Sequence, residues 1–324
     1  MEMTLRTEVE LLGRANLTRT AVSGGVLMVP IAIWSGNVVV TKMASEAISP
    51  GEISFYRWLI ALLVLLPFLG RSVWRERRTV ARYTLQIITL AVLGLVVYQG
   101  LAYEAARTTS ALNMGIILAS TPLMSLFMVL VLAGERPTGL GALGGVMSLS
   151  GLAYLVSKGD PIAVLRGGLH IGDALMLAAV LANATYGVLL QKWTIPLGVW
   201  QLLLCQIGVS VLVLLPVWLS GPIRGIEPMT IGLVFYAAVP ASILAPACWI
   251  VSIHNLGTAR TSLALNLLPV VVAAAAWLFL GEQLRPYHAI GGGLALIGVA
   301  IGLQRPARPR IDDQRQSYTR AEAA

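Results

Sequence analysis

The sequence predicts an all-α integral membrane protein with ten transmembrane helices in two inverted five-helix repeats. Three observations predict this class. Of the 324 residues, 57% are hydrophobic and only 12% are charged, about half the charged share of a soluble protein. Long apolar stretches recur from one end of the chain to the other, and the two halves resemble each other. Because so little polar sequence cannot cover a soluble fold, these figures exclude a disordered chain, a disulfide scaffold and an ordinary soluble enzyme.

The apolar stretches predict the helices in order. Most are about 20 residues long, enough to cross about 30 Å of hydrocarbon at 1.5 Å per residue. Spanning strands would be about ten residues long with alternating polarity, a pattern the chain lacks. The first stretch is longer than the apolar region of a signal peptide, so we predict that it remains as a span. The ten stretches lie at about 22–42, 52–69, 83–105, 110–132, 138–157, 171–191, 198–219, 230–253, 259–280 and 286–303.

The same stretches divide the chain into five parts. A cytoplasmic N-terminal tail (1–21) precedes the first five-helix repeat (22–157). An external linker (158–170) leads to the second repeat (171–303), and a disordered cytoplasmic tail (304–324) ends the chain. We expect a monomer or a weak homodimer, because the small-residue pairs Gly141/Gly145 and Gly298/Gly302 can pack within the bundle or between copies.

The distribution of basic residues predicts the orientation. Sixteen of the 23 Lys and Arg residues fall on the side of the N-terminus, six fall on the other side, and Arg57 lies within a span. Because cytoplasmic loops carry the excess of Lys and Arg, both termini are expected in the cytoplasm of a bacterial-type inner membrane. This placement accounts for the basic pI of about 9.9 with no nucleic-acid partner.

An internal repeat relates the two halves. Pro122 corresponds to Pro269 at an offset of 147, and the pair Gly134-Glu135 corresponds to Gly281-Glu282 at the same offset. Toward the N-terminal side the offset grows to about 149. Each repeat holds five spans, and an odd number forces the second copy to enter the membrane from the opposite side. Inverted repeats of this kind recur in secondary transporters. Three glycines match at the first offset: Gly144, Gly145 and Gly151 with Gly291, Gly292 and Gly298.

On these residues the chain resembles the drug/metabolite transporter superfamily, in its EamA-like branch of ten-helix transporters. The resemblance covers roughly residues 22 to 303 and implies export or exchange of small metabolites across the inner membrane. Amino acids, aromatic ones included, are among the family's cargoes. The motifs that carry it are Trp34-Ser35-Gly36-Asn37 with Lys42, Pro50, Phe55-Tyr56-Arg57-Trp58, Thr109-Ser110-Ala111, Pro122, Gly134-Glu135, Pro269 and Gly281-Glu282.

Polar and aromatic residues at mid-depth are the candidate substrate-binding residues. Pairs three apart share a helix face, so Trp34 with Asn37 and Asn183 with Tyr186 each form one patch. The repeat places these patches at equivalent positions, where aromatic rings could stack on a substrate and amides could hydrogen-bond it. Packing between helices is the competing interpretation. The full set is Trp34, Asn37, Tyr98, Gln99, Asn183, Tyr186, Trp249 and Asn266.

Three charged residues near the outer ends of spans are candidates for gating or coupling: Lys42, Arg57 and Glu104. Arg57 and Glu104 could pair when an outer gate is closed, since a charge in apolar surroundings is expensive and often functional. Snorkelling of these side chains to the interface is the alternative. With no other charge at mid-depth, a neutral or zwitterionic substrate is favoured.

The sequence therefore predicts a secondary transporter that exports or exchanges a small, amino acid-like metabolite by alternating access, with membrane lipid around it and protons as a possible coupling ion. We find no Walker A loop, HExxH or GxSxG motif, and expect no enzyme activity, cofactor or metal. An intramembrane enzyme acting on lipid-linked substrates is one alternative. A nucleotide-sugar or sugar-phosphate exchanger and a drug efflux protein are others.

Overall fold

The computed structural model describes residues 2–134, 139–160, 171–221, 228–256, 261 and 264–302, and their side chains from Gly25 onward except those of Ala133, Met229, Leu256 and Asn266. Regular structure in these residues is entirely helical, with no strand among them. The predicted all-α class is confirmed. Glu135 and the C-terminal tail from residue 304 lie outside the described residues.

The described residues of the first repeat form eight α-helices and one π-helical segment. Helix α1 continues back to Glu2, through the segment predicted as an N-terminal tail. In chain order the elements are α1 (Glu2–Ala47), α2 (Pro50–Arg75), α3 (Arg77–Arg82), α4 (Thr84–Ala91), the first π segment (Val92–Val97), α5 (Tyr98–Ala106), α6 (Ala111–Ala119), α7 (Thr121–Ala133) and α8 (Gly139–Val156).

The second repeat follows the same plan in the residues that the structure describes. As in the first repeat, two long helices come first and the third span is interrupted by a π-helical segment. The elements are α9 (Ile171–Trp193), α10 (Val199–Ser220), α11 (Pro228–Ala238), the second π segment (Pro240–Leu244), α12 (Ala245–Leu256), a 3-10 turn (Leu265–Leu267), α13 (Leu268–Leu280) and α14 (Pro286–Gly302).

Among the described residues, seven helical stretches are long and apolar enough to cross a membrane, and α6 with α7 makes an eighth if the bent pair is one span. This pair is bent by 45° next to Pro122, whose ring cannot continue the preceding helix. The shorter apolar helices α13 and α14 occupy the predicted ninth and tenth positions. Ten full-length spans therefore remain a prediction. Large apolar side chains cover the outside, with Phe68 79% and Leu85 74% exposed, as contact with lipid requires.

Equivalent local features mark the ends and centres of the two repeats. Helices α7 and α13 end at Gly134 and Gly281, both with positive φ, of 70° and 65°. A glycine adopts this left-handed conformation without a Cβ clash and so terminates the helix. The first π segment, shifted by the offset of 147, falls on residues 239–244, where the second π segment lies. The match supports the repeat inferred from sequence.

Helices α8 and α14 hold the repeats together by close backbone contact. A Cβ added to Gly144 would lie 2.6 Å from the Cα of Gly302, and one added to Gly151 would lie 2.6 Å from the carbonyl oxygen of Gly291. These glycines pack within one chain, as small residues do in membrane helix pairs. Gly145, expected to share this role, has open space around it instead.

Candidate functional site

The second π segment joins the two predicted groups of site residues. Trp34 on α1 donates its indole N–H to the carbonyl oxygen of Ala241 at 3.2 Å. Arg57 on α2 donates its Nε–H to the Oγ of Ser242 at 2.8 Å. Because Ala241 and Ser242 are consecutive, one short segment of the second repeat holds an aromatic ring and a cation of the first. π-Helical turns often occur at functional sites.

Arg57 lies deeper than its sequence position suggested. It is seven residues beyond the start of α2, about 10 Å along the helix axis, and its side chain is only 3% exposed. Its Nη1 donates to Gln99 Oε1 and to the Tyr103 hydroxyl, both at 3.1 Å. The charge of Arg57 therefore lies in the layer of Gln99, where only uncharged residues were expected.

The pair expected between Arg57 and Glu104 does not form in this structure. Glu104 accepts a hydrogen bond from Arg107, at 3.3 Å, and its side chain is 45% exposed. It lies one turn from the end of α5, whereas Arg57 is turned inward at a greater depth. The third gating candidate, Lys42, donates to the carbonyl oxygen of Ala106 at 2.6 Å. There it caps the last turn of α5, a favourable place for a cation.

Aromatic rings from both repeats meet in the interior. The rings of Trp34 and Trp249 have centroids 5.5 Å apart and planes at 54°, a favourable tilted arrangement. Tyr186 lies against the first π segment so closely that a Cβ on Gly94 would be 2.6 Å from the tyrosine ring. All three rings are half-buried, so they keep surface that a small molecule could contact.

The remaining candidates are four residues for which the described part of the structure shows location or burial but no side-chain hydrogen bond that joins the two repeats. Asn37 has a buried Oδ1 with no hydrogen-bond partner among the described residues, which is costly unless a water or substrate supplies a donor. Tyr98 packs against the core that the two repeats share. Asn183 is half-buried one turn before Tyr186. Asn266 lies in the 3-10 turn, and its side chain is outside the described residues.

Sequence reasoning missed Gln206, Ser242 and Tyr103. Gln206 is 1% exposed and accepts from the Tyr186 hydroxyl at 3.4 Å. The offset of 149 that relates Trp34 to Asn183 also relates Arg57 to Gln206, so extending the repeat would have found it. Ser242 had no such signal, because the π-helical turn that directs its side chain toward Arg57 is not visible as a sequence pattern.

A second polar cluster lies where α5, α6, α9 and α13 end or begin at one face of the bundle. Both carboxylate oxygens of Glu282 accept from helix α6, at 2.8 Å from the amide of Ala111 and 2.9 Å from that of Leu112. The fully buried Asp173 accepts from Thr109 and from Asn113. These hydrogen bonds join the two repeats at this face of the bundle.

A cavity of about 400 Å³ opens beside Glu282. Among the described residues no group of three His, Cys, Asp or Glu side chains could hold a metal.

Comparisons with known proteins agree with this architecture. The family model described as "EamA-like transporter family" matches residues 23–157 and 170–303, the two repeats. An uncharacterized transporter of Archaeoglobus fulgidus is 24% identical over 85% of this chain and 95% of its own. The uncharacterized transporter YyaM of Bacillus subtilis is 22% identical over 90% and 97%.

Two further similarities concern cargo and fold. A protein named as a probable terminal-alkyne amino-acid exporter, from Streptantibioticus cattleyicolor, is 22% identical over 85% of this chain and 91% of its own. A crystal structure superposes with a TM-score of 0.55 at 16% identity, covering 87% of this chain and 95% of that one. At this identity the superposition shows a shared fold alone.

Proposed function

The chain belongs to the EamA-like transporter family, and we propose that it exports or exchanges a small amino acid-like metabolite across the inner membrane by alternating access. The observation that carries the proposal is the second π segment, where residues of one repeat bind the backbone and side chain of the other at mid-span. Two inverted repeats joined there can exchange their shapes and so open the site to either side in turn.

The proposed substrate site lies between the two π segments. The Trp34 and Trp249 rings, one from each repeat, offer an apolar wall, and the Tyr186 ring packs against Gly94 of the first π segment. Asn37 adds a hydrogen-bond acceptor without a donor. Aromatic walls with a few polar groups are typical of small-molecule sites, and an amino acid fits such a mixture. The relative named as an amino-acid exporter supports the same cargo class.

The direct test is uptake of labelled amino acids into liposomes containing the purified protein, with and without a pH gradient. We expect saturable uptake of at least one amino acid, and a dependence on the gradient if protons are exchanged for cargo. Without such a dependence, the cargo gradient itself supplies the energy. If no amino acid is taken up, amino acids are excluded as the cargo class, and sugars, nucleosides and drugs are next to be tried.

Two substitutions locate the site. Trp34→Ala and Tyr186→Ala should each lower uptake, because each removes a ring that the substrate contacts. The matched control is Trp277→Ala, since Trp277 lies on the outside of α13 with 64% of its surface exposed. Unchanged uptake in both site variants would exclude the site between the π segments and leave the transport function standing.

The proposed orientation has its own test. Both termini are expected in the cytoplasm, because the basic residues concentrate on that side. A C-terminal reporter that is active only in the cytoplasm should therefore work in the full-length fusion. If the orientation is reversed, the fusion should instead be active with a C-terminal reporter that works only outside the inner membrane.

A further inference from the structure

Arg57 is a buried cation in neutral surroundings. Its guanidinium remains charged in proteins, yet its hydrogen-bond partners are a serine, an amide and a phenol: Ser242, Gln99 and Tyr103. These come from the second π segment and from α5, and the neighbouring Trp58 ring lies 5.1 Å from the guanidinium carbon. A buried charge without an opposite charge is expensive, so this arrangement calls for an anion.

The carboxylates on the neighbouring helices are used elsewhere. Glu52, one turn from Arg57 along α2, forms a capping box with Ser49. Glu104 on α5 pairs with Arg107. In the part of the chain that the structure describes, neither carboxylate bonds to Arg57, so a bound molecule can supply its anion.

The other repeat shows that the position does not need a charge for packing. Gln206, equivalent to Arg57 at the offset of 149, is also buried and also bonds an aromatic hydroxyl on the adjacent span, that of Tyr186. A neutral amide therefore fills the corresponding place in the second repeat. The charge at Arg57 requires a reason other than assembly of the bundle.

The guanidinium also keeps donors for a ligand. A guanidinium carries five N–H groups in a planar fork. Arg57 uses one on Nε and two on Nη1, while Nη2 has no acceptor in the described part of the chain. The N–H groups of Nη2 can donate charge-assisted hydrogen bonds to a carboxylate. A phosphate ester carries more charge, and among the described residues no second Lys or Arg side chain bonds to Ser242, Gln99 or Tyr103.

We propose that Arg57 binds the carboxylate of the transported molecule, so that the cargo must carry one. The proposal rests on the transport function proposed above and defines its substrate class. The carboxylate pairs with Nη2 on one side of Ala241 and Ser242, and the side chain of the cargo lies on the other side, against Trp34 and Trp249. A zwitterionic amino acid then has its ammonium group free for the unpaired Oδ1 of Asn37.

The test compares matched compounds on the full-length protein. L-Phenylalanine, L-leucine and L-propargylglycine, which carries a terminal alkyne, are each paired with their own carboxamides. Glycerol 3-phosphate serves as the phosphate probe. Binding is read as a rise in the thermal unfolding midpoint, and transport as uptake into proteoliposomes. We expect at least one amino acid to bind and to be taken up, and its carboxamide to fail at the same concentration.

Arg57→Gln is the decisive variant, because it installs the residue type that the other repeat uses at this position. We expect it to raise KM for the amino acid by about 10- to 100-fold, the loss of a charge-assisted hydrogen-bond pair. Arg57→Lys keeps the charge but cannot bond Ser242, Gln99 and Tyr103 while also donating to the cargo, so its KM should fall between those of the unaltered protein and Arg57→Gln. The control is Arg71→Gln, an exposed arginine on the same helix, which should leave KM unchanged.

Several results would overturn the proposal. If the unaltered protein binds an amino acid and its carboxamide equally well, the cargo carboxylate is not required and the proposal is wrong. This comparison needs no variant, so it holds even if Arg57→Gln does not fold. An unchanged KM in a folded Arg57→Gln protein would also overturn the proposal while the transport function stands. Uptake of the carboxamides or of glycerol 3-phosphate alone would keep a transporter but reject the carboxylate. If none of these compounds is bound or moved, the amino acid-like cargo and the role of Arg57 fall together.

Discussion

The contact between α8 and α14 makes a sharp prediction, because neighbouring glycines on one helix have opposite surroundings. An added Cβ on Gly144 would meet the backbone of Gly298 and Gly302, at 2.6 Å from the Gly302 Cα. Ordinary contact begins at 3.4 Å, and the Gly298 carbonyl oxygen and the Gly302 amide nitrogen lie closer than the Gly302 Cα, so the helices must separate by more than about 0.8 Å or distort. On Gly145, one residue further, the same Cβ would meet nothing within 4 Å.

These distances set the sign and size of each effect. Replacing a mid-helix glycine with alanine stabilises a helix by about 0.5–1 kcal/mol, a gain that both variants share. Forcing an extra carbon into packed backbone costs about 1–3 kcal/mol, and only Gly144→Ala incurs this cost. Gly145→Ala should therefore be slightly stabilising and Gly144→Ala destabilising. The difference between the two should equal the packing cost, because the shared helix term cancels.

The assay is unfolding of the two variants and the parent in one detergent, followed by the loss of helical circular dichroism. Equal midpoints for the two variants would refute the close backbone contact between α8 and α14. A fall for Gly145→Ala alone would instead place the contact surface on the other side of α8, and would favour packing between copies of the chain.

Three further outcomes follow from single contacts. Gly94→Ala should lower transport, because the added methyl group displaces the Tyr186 ring from the first π segment. Gly100→Ala should leave transport unchanged in the same uptake assay, since Gly100 has open space around it. Glu282→Ala removes the acceptor for two amides of α6 and should speed hydrogen exchange at the start of that helix, with a loss of about 1–2 kcal/mol. Asp173→Asn keeps an acceptor oxygen and should fold, whereas Asp173→Leu strands two buried donors at a cost of about 2–4 kcal/mol in the same unfolding assay.

The scaffold could be predicted from the sequence because its signals are periodic or repeated. Apolar length predicts spans, and the recurrence of Pro122 and Gly134 as Pro269 and Gly281 predicts the repeat. The 45° break at α6 and α7 was not predicted as such, since a proline alone does not say whether a helix bends or ends.

The site was predicted only in part, for a different physical reason. Trp34, Trp249 and Tyr186 were expected at mid-depth and lie around the π segments. The hydrogen-bond partners of Arg57 were not predicted. The extra residue in a π-helical turn rotates every later side chain about the helix axis, and this rotation leaves no trace in the sequence pattern. Helical spacing counted from the ends therefore does not tell which side chains meet, and pairing of Arg57 with Glu104 in a state with the outer gate closed stays a prediction.

The two repeats differ in residue type at the proposed site. Their π segments and glycine ends coincide, yet Trp34 corresponds to Asn183 and Arg57 to Gln206 at the offset of 149. Exchange of shape between repeats requires a common scaffold, since each copy must be able to adopt the other's conformation. Recognition of a molecule with unlike ends, such as an amino acid, requires a difference between the repeats. One repeat must carry a charge at a position where the other repeat carries none. A symmetric scaffold with one buried arginine satisfies both requirements. It predicts that Gln206→Arg, which adds a second unpaired buried cation, lowers the stability of the fold more than Arg57→Gln does.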